Sequence, residues 1–343
     1  MIIDNNKKKG KKEFNISFSI LRMYLCFVVV NIHFFKKLRF KYKFLGKFLR
    51  NRIPVPIFFI MSFFLCYKLF SLNEITKIKL RFERLIIPYF LWPIIIWIFN
   101  NIFHFYLKMT MKTSLYDLIF QILTGHNFVY TLWFQINLIY ITALMVLIHK
   151  LFYKNALYIL INLIIISYFF QYSDINSKFF SEYSINIRHS CGRFIEAFPL
   201  CISGYILGSL NIINYLKKKR IKSLYILVSV LSISIKYKIF FNIKGFSYQG
   251  IRLHIISIII FIIFALDPFK KIIIIKKIII SLTNYTSGIY YLHIPIMDYL
   301  SNYISLIRER TILGSIIIYL ICYLISLIGA IIFGKTKLKH LFI

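Results

Sequence analysis

Arg22 and His33 stand eleven positions apart in a stretch, Leu21 to His33, that otherwise carries no charge. At 3.6 residues per turn that spacing returns both to nearly the same helical face, roughly 16 Å apart along the axis. An ionisable side chain inside an apolar helix is costly in lipid and marks a functional site by default. One face of one helix then carries a permanent cation near one surface and an imidazole, which titrates near neutral pH, near the other. The plainer alternative is that Arg22 snorkels to inner headgroups while His33 caps the outer end.

A second pair, Arg81 and Arg84, lies in the run KLRFERLIIPYFLW. Spacing of three puts both guanidiniums on one side of a helix, and paired guanidinium forks suit phosphate oxygens. The phosphate could belong to a substrate or a lipid headgroup, and simple anchoring with Glu83 as counter-charge is the alternative. Ser62 follows Pro54 and Pro56, which loosen the first turn of their helix. Trp133 and Phe134 follow a break at Gly125-His126-Asn127, and His293 comes one turn after Tyr290. Each of these also has an ordinary packing or interface reading. The histidines at 104, 126, 149, 189, 254 and 340 share no spacing and read as interface or loop residues. Cys26, Cys66, Cys191, Cys201 and Cys322 contain no CxxC pair, so they read as small packing residues with no metal expected. No nucleotide-binding glycine motif, GxSxG elbow or HExxH is present.

These residues have to be positioned by a very apolar chain. Of 343 residues 59% are apolar and 19% aromatic, against about 45–50% apolar in soluble domains. Ten blocks approach the roughly 20 residues of a spanning helix: 14–35, 53–72, 85–107, 128–149, 155–172, 194–213, 221–241, 252–267, 281–303 and 311–333. The expectation is therefore an all-α integral membrane protein, a bundle of about ten transmembrane helices. Residues 1–13 form a basic segment, 14–333 a single membrane domain, and 334–343 a basic tail. Loops are short, so any site must lie within the bundle or at its mouth.

Lys and Arg number 44 against 11 Asp and Glu, a net charge of +33. The basic residues occur in short runs between apolar blocks, as in loops against an anionic bilayer, and no nucleic-acid-reading module is visible. With ten spans both termini share one side, and their basic character suggests the cytoplasmic one. The basic stretch from Lys36 to Arg52 falls on the opposite side and opposes that assignment. Carboxylates are scarce, so chemistry rests on His and Arg.

Taken together, these segments resemble the membrane acyltransferase-3 family, bacterial O-acyltransferases that modify surface polysaccharides. Leu21-Arg22 through Ile32-His33 reproduces the family's arginine, ten residues, then histidine. Arg81-Phe82-Glu83-Arg84 followed by Ile87-Pro88-Tyr89 is similar to its RxxR element, and Pro56 to Ser62 to its second-helix signature. Leu132-Trp133-Phe134 and Tyr290-Tyr291-Leu292-His293 fall in the expected order. The chain departs from the pattern at Phe63, where a glycine is usual, and at Ser19, where an acid is common. No extracytoplasmic esterase-like domain is expected.

The resemblance implies a multi-pass protein of the bacterial cytoplasmic membrane that transfers an acyl group, acetyl foremost. The donor would be acyl-coenzyme A, a substrate rather than a bound cofactor, and the acceptor a hydroxyl of a polysaccharide or lipid-linked sugar. Arg81 and Arg84 would hold the donor's phosphates. Arg22 and His33 would be catalytic, His33 as base or transient acyl carrier, and Ser62, Trp133, Tyr290 and His293 candidate lining residues. Bilayer, acyl-coenzyme A and sugar acceptor are the expected partners; nucleic acid is not. The rival reading, a transporter or flippase for a polysaccharide precursor, fits the hydrophobic pattern equally and differs in leaving its cargo unmodified.

Overall fold

The computed structural model describes residues 15–37, 53–71, 74–107, 114–125, 132–172, 185–236, 251–269, 276–303 and 312–336. Among them every regular element is an α-helix. The N-terminal basic segment and most of the Lys36–Arg52 stretch lie outside the described residues, as does the tail beyond 336.

In chain order the helices are α1 (Ile16–Lys37), α2 (Pro54–Ser71), α3 (Ile75–Leu107), α4 (Leu115–Thr124) and α5 (Leu132–Phe152). Then come α6 (Ala156–Tyr172), α7 (Ile185–Ser209), α8 (Ile212–Lys218) and α9 (Arg220–Lys236). The last are α10 (Ile251–Ala265), α11 (Lys276–Thr283), α12 (Thr286–Tyr303) and α13 (Ile312–Gly334). By length and composition α1, α5 and α13 can each cross a bilayer. The pair α7–α8, bent by 55° at a short break, makes a fourth if counted as one span. Parts of α2, α6 and α10 are apolar but shorter, between 10 and 17 residues.

Each of the ten apolar blocks contains a helix, and the helices depart from the blocks in several places. α3 begins ten residues before its apolar block, so Arg81 and Arg84 lie inside it rather than ahead of it. Lys77 pairs with Glu74 at its start, and Pro88 and Pro93 are carried within the helix. Pro88 cannot donate to the Arg84 carbonyl; one residue on, the Leu85 carbonyl accepts a bond from Gln135 Nε2 at 2.5 Å. The block at 281–303 is divided into α11 and α12 at Asn284-Tyr285. The short helices α4 and α8 were not expected; α4 stops at Gly125, whose φ of +65° few other residues adopt.

α1 is the axis around which the site is assembled. Asn15 caps it, its Oδ1 accepting from the Phe18 N–H at 3.1 Å, a standard solution for unpaired amides at a helix start. Asp267 adds a negative charge there, accepting from the Ser17 N–H at 3.1 Å and hydroxyl at 2.6 Å. One face of α1, with Leu21 and Leu25, joins a large core built from α2, α5, α6, α7 and α10. Cys26 and Val30 join a second core with α12 and α13. A third cluster packs Tyr89, Trp92 and Ile96 of α3 on Leu132 and Ile136 of α5. The most extensive helix pairing is α2 against α7. There Gly204 meets the Ile60 carbonyl and Gly208 the Tyr67 ring so closely that no β-carbon fits.

Candidate active site

A cavity of about 400 Å³ opens where α1, α2, α3, α5 and α12 converge. α1 contributes Arg22, Cys26 and Val29, a stripe at spacings of four and three that faces one direction. α2 contributes Phe58, Ser62 and Cys66 among others, α3 Arg81, Arg84 and Leu85, α5 Phe134 and Gln135, and α12 Thr286, Ser287, Tyr290 and Tyr291. Of the residues singled out in the sequence, Arg22, Ser62, Arg81, Arg84 and Tyr290 meet on this wall. Among the described residues lining it there are three arginines and no carboxylate.

Arg81 is held on three sides. Its Nε donates to Thr142 Oγ1 at 3.2 Å, one terminal nitrogen to Ser62 Oγ at 3.0 Å, and the other to Cys66 Sγ at 2.8 Å. Its guanidinium carbon sits 5.0 Å from the centre of the Phe63 ring, a cation–π contact. The departure from glycine at position 63 therefore supplies a face for this arginine. Arg84, one turn on, is exposed at the cavity edge. Ser19, where an acid is common, is buried, and its carbonyl accepts from Thr283 Oγ1 at 3.4 Å.

Three expected residues lie off the wall. Trp133 turns away, stacking under the Arg193 guanidinium at 4.9 Å and packing near Phe59; its neighbour Phe134 lines the cavity instead. One residue rotates a helix by about 100°, and here that step carries Trp133 off the wall that Phe134 lines. His33 and His293 stand together one turn beyond the wall, with ring centres 5.3 Å apart. His293 is fully buried, and its Nδ1 donates to the Ile289 carbonyl at 3.1 Å.

Cys66 is the functional neighbour that sequence reasoning missed: it is not merely a packing residue but a cavity-lining thiol bonded to Arg81. Its position four residues after Ser62 put it on that serine's face, a signal that was available. Thr142 and Gln135 carried no such signal. His149 and His254 are core residues, not the interface or loop residues expected. His149 bonds Tyr205 OH at 2.7 Å, and His254 Nδ1 bonds Tyr168 OH at 2.7 Å. His126 and His340 lie outside the described residues.

Apolar helices wrapped around a cavity lined by three arginines define the class as a helical membrane protein with a basic cavity inside its bundle. The family model for the acyltransferase domain matches residues 15–335. The chain belongs to the acyltransferase-3 family and is an acyltransferase. No curated protein and no solved structure matches it.

Proposed function

We propose that the protein is an O-acyltransferase of the bacterial cytoplasmic membrane with about ten spans and both termini on the cytoplasmic side. It moves an acyl group, acetyl foremost, from cytoplasmic acyl-coenzyme A to a hydroxyl of a surface polysaccharide or its lipid-linked precursor. The observation that carries this reading is the cavity with Arg22, Arg81 and Arg84 and no carboxylate among its described lining residues. Such a wall attracts a phosphate-bearing ligand, and low-dielectric surroundings strengthen the attraction. Its volume is at the small end for ligand sites, fitting an acyl-pantetheine arm with the nucleotide left at the mouth.

Arg84 and Arg81 hold the phosphates, Arg22 seats the thioester, and His33 receives the proton of the acceptor hydroxyl. The hydroxyl oxygen bonds to the thioester carbonyl carbon, the carbon–sulfur bond breaks, and the proton leaves with the coenzyme A thiolate. The distance of roughly 16 Å from Arg22 to His33 along α1 matches a donor entering from one side and an acceptor approaching from the other.

The test is transfer of radiolabelled acetyl from acetyl-coenzyme A into envelope glycans by membranes with wild-type protein or His33→Ala at matched expression. Label with the wild type and loss of at least about a hundredfold with the variant is expected. Equal label in both removes His33 from the mechanism. Absence of label across several acyl donors and acceptors overturns the enzymatic reading.

A further inference from the structure

α12 starts partway along the bundle, after α11 has already packed on α1. Thr283 Oγ1, at the end of α11, donates to the Ser19 carbonyl at 3.4 Å. Cys26 Sγ donates to the Thr286 carbonyl, at the start of α12, at 3.5 Å. Ser19, Arg22 and Cys26 follow at spacings of three and four, so they share a face of α1. Arg22 therefore stands level with the break at Asn284-Tyr285 and with the first turn of α12. Thr286 and Ser287, which open that turn, line the cavity together with Arg22.

The first N–H groups of an α-helix have no partner within it and form the positive end of its dipole. In α1 the Asn15 side chain answers one of them. α12 is preceded by Tyr285, whose only side-chain oxygen is at the far end of its ring, and Thr286 Oγ1 turns back to the Thr283 carbonyl at 2.9 Å. The ladder of α12 opens later, with the Ile289 N–H bonded to the Tyr285 carbonyl at 3.1 Å. Arg22 has no hydrogen-bond or ion-pair partner among the described residues. Two positive ends thus face one cavity whose described lining holds no carboxylate. Like charges repel strongly in a low-dielectric bundle, so an anion between them stabilises the arrangement.

A separate observation bears on what the anion is attached to. Gln135 lines the same cavity and is 2% exposed. Its Nε2 is committed to the Leu85 carbonyl, and its Oε1 is buried with no hydrogen-bond partner. An orphan acceptor on a cavity wall calls for a ligand N–H. The ligand so described carries an anionic group and an amide.

We propose that Arg22 and the first turn of α12 hold the phosphate nearest the pantetheine arm of the acyl donor, and that Gln135 accepts from an amide N–H of that arm. About thirteen bonds separate this phosphate from the thioester sulfur, roughly 15 Å when extended. His33 stands a similar distance, roughly 16 Å, farther along α1. The reacting carbon then lies at His33, Arg22 seats it from the other end of the arm, and Arg81 and Arg84 take the phosphates nearer the nucleotide. Broken helices whose N-termini meet anionic groups are a recurrent device inside membrane bundles. The assignment rests on acyl-coenzyme A being the donor.

The test uses three donors with purified, reconstituted protein. They are acetyl-coenzyme A, acetylphosphopantetheine, which keeps only the phosphate next to the arm, and acetylpantetheine, which has none. Ser287→Asp puts a carboxylate in the first turn of α12, where it suits the helix and competes for its N–H groups. In wild type the KM for acetylpantetheine is expected to exceed that for acetylphosphopantetheine about tenfold or more. In Ser287→Asp the two are expected to fall within about threefold of each other. Gln135→Leu is expected to raise the KM for all three donors about fivefold, since all share the amide. Equal KM values for the two truncated donors in wild type, or a gap that Ser287→Asp leaves intact, overturn the phosphate assignment. An unchanged KM for acetylpantetheine in Gln135→Leu overturns the amide contact.

Melting temperatures in detergent give a readout apart from transfer. Acetylphosphopantetheine is expected to raise that of the His33→Ala protein, and Ser287→Asp in the same background to abolish the rise. An equal rise with inorganic phosphate at the same concentration marks a plain anion site and overturns the donor assignment. If wild type transfers acetyl from none of the donors yet the rise is seen, the acyl-transfer reading has failed and the phosphate site stands. If transfer proceeds without the KM gap, only the phosphate site has failed.

Discussion

Arg81 and Arg84 differ by three positions and by what each substitution costs. Arg84 is exposed at the cavity edge, so Arg84→Gln should raise the KM for the acyl donor about tenfold and leave the melting temperature unchanged. Arg81 is bonded to Ser62, Cys66 and Thr142, so Arg81→Lys loses the planar fork that reaches all three. That variant should lose donor affinity and also about 2–4 kcal/mol of stability, read as a lower melting temperature in detergent. Cys66 provides a chemical probe of the same spot. Among the described cysteines, Cys26, Cys201 and Cys322 are buried, while Cys66 and Cys191 are partly exposed. In a Cys191→Ser background, N-ethylmaleimide should inactivate the enzyme, acyl-coenzyme A should protect it, and Cys66→Ala should be resistant. Inactivation of the Cys66→Ala protein at the same rate would place the reactive thiol elsewhere. The arginines were legible in the sequence because a charge in an apolar helix is conspicuous. Cys66 was legible only through its spacing of four from Ser62, because a cysteine looks the same in a core and on a cavity wall until its neighbours are known.

Between helices, α7 comes very close to α2. Gly204 and Gly208 are four apart on one face of α7, the small-residue spacing that lets membrane helices touch. A methyl at Gly204 would overlap the Ile60 carbonyl, two residues before Ser62. Gly204→Ala should therefore cost about 1–3 kcal/mol and lower kcat by displacing Ser62 and Cys66, and Gly204→Val should prevent accumulation of folded protein. Melting temperature and yield after detergent extraction check this; an unaffected Gly204→Val would mean that α2 and α7 are free to separate. The helices themselves were legible as apolar blocks. Their ends were less so, because hydropathy falls where Lys and Arg appear while the backbone continues. That is why α3 extends back through Arg84 and Arg81 to Ile75. The division between α11 and α12 at Asn284-Tyr285 was hidden because a short polar step inside an apolar block leaves little trace in composition.

For the molecule as a whole, the arrangement predicts sidedness. Arg84 is exposed near the start of α3, and His33 lies toward the far end of α1. Membrane vesicles of both orientations, supplied with acyl-coenzyme A that cannot cross the bilayer, should show transfer only when the Arg84 side faces the donor. Transfer at equal rates in both orientations would contradict a single entrance. Composition made the membrane class plain, and an arginine-lined interior followed from spacing on α1 and α3. The convergence of five helices on one cavity did not, because α12 joins α1 through contacts more than 250 positions apart, such as that of Cys26 Sγ with the Thr286 carbonyl at 3.5 Å.

The bonds that hold Arg81 have a consequence for how such a protein can change over generations. The same side chain that lines the cavity also fastens α2 to α3 and α5. A lineage cannot alter the cavity wall at this position without passing through intermediates whose bundle is loosened. Residues of the cavity that serve no such joint, Arg84 and Ser287 among them, are freer to vary. Drift in substrate preference is then channelled away from the junction of those three helices and toward the rim.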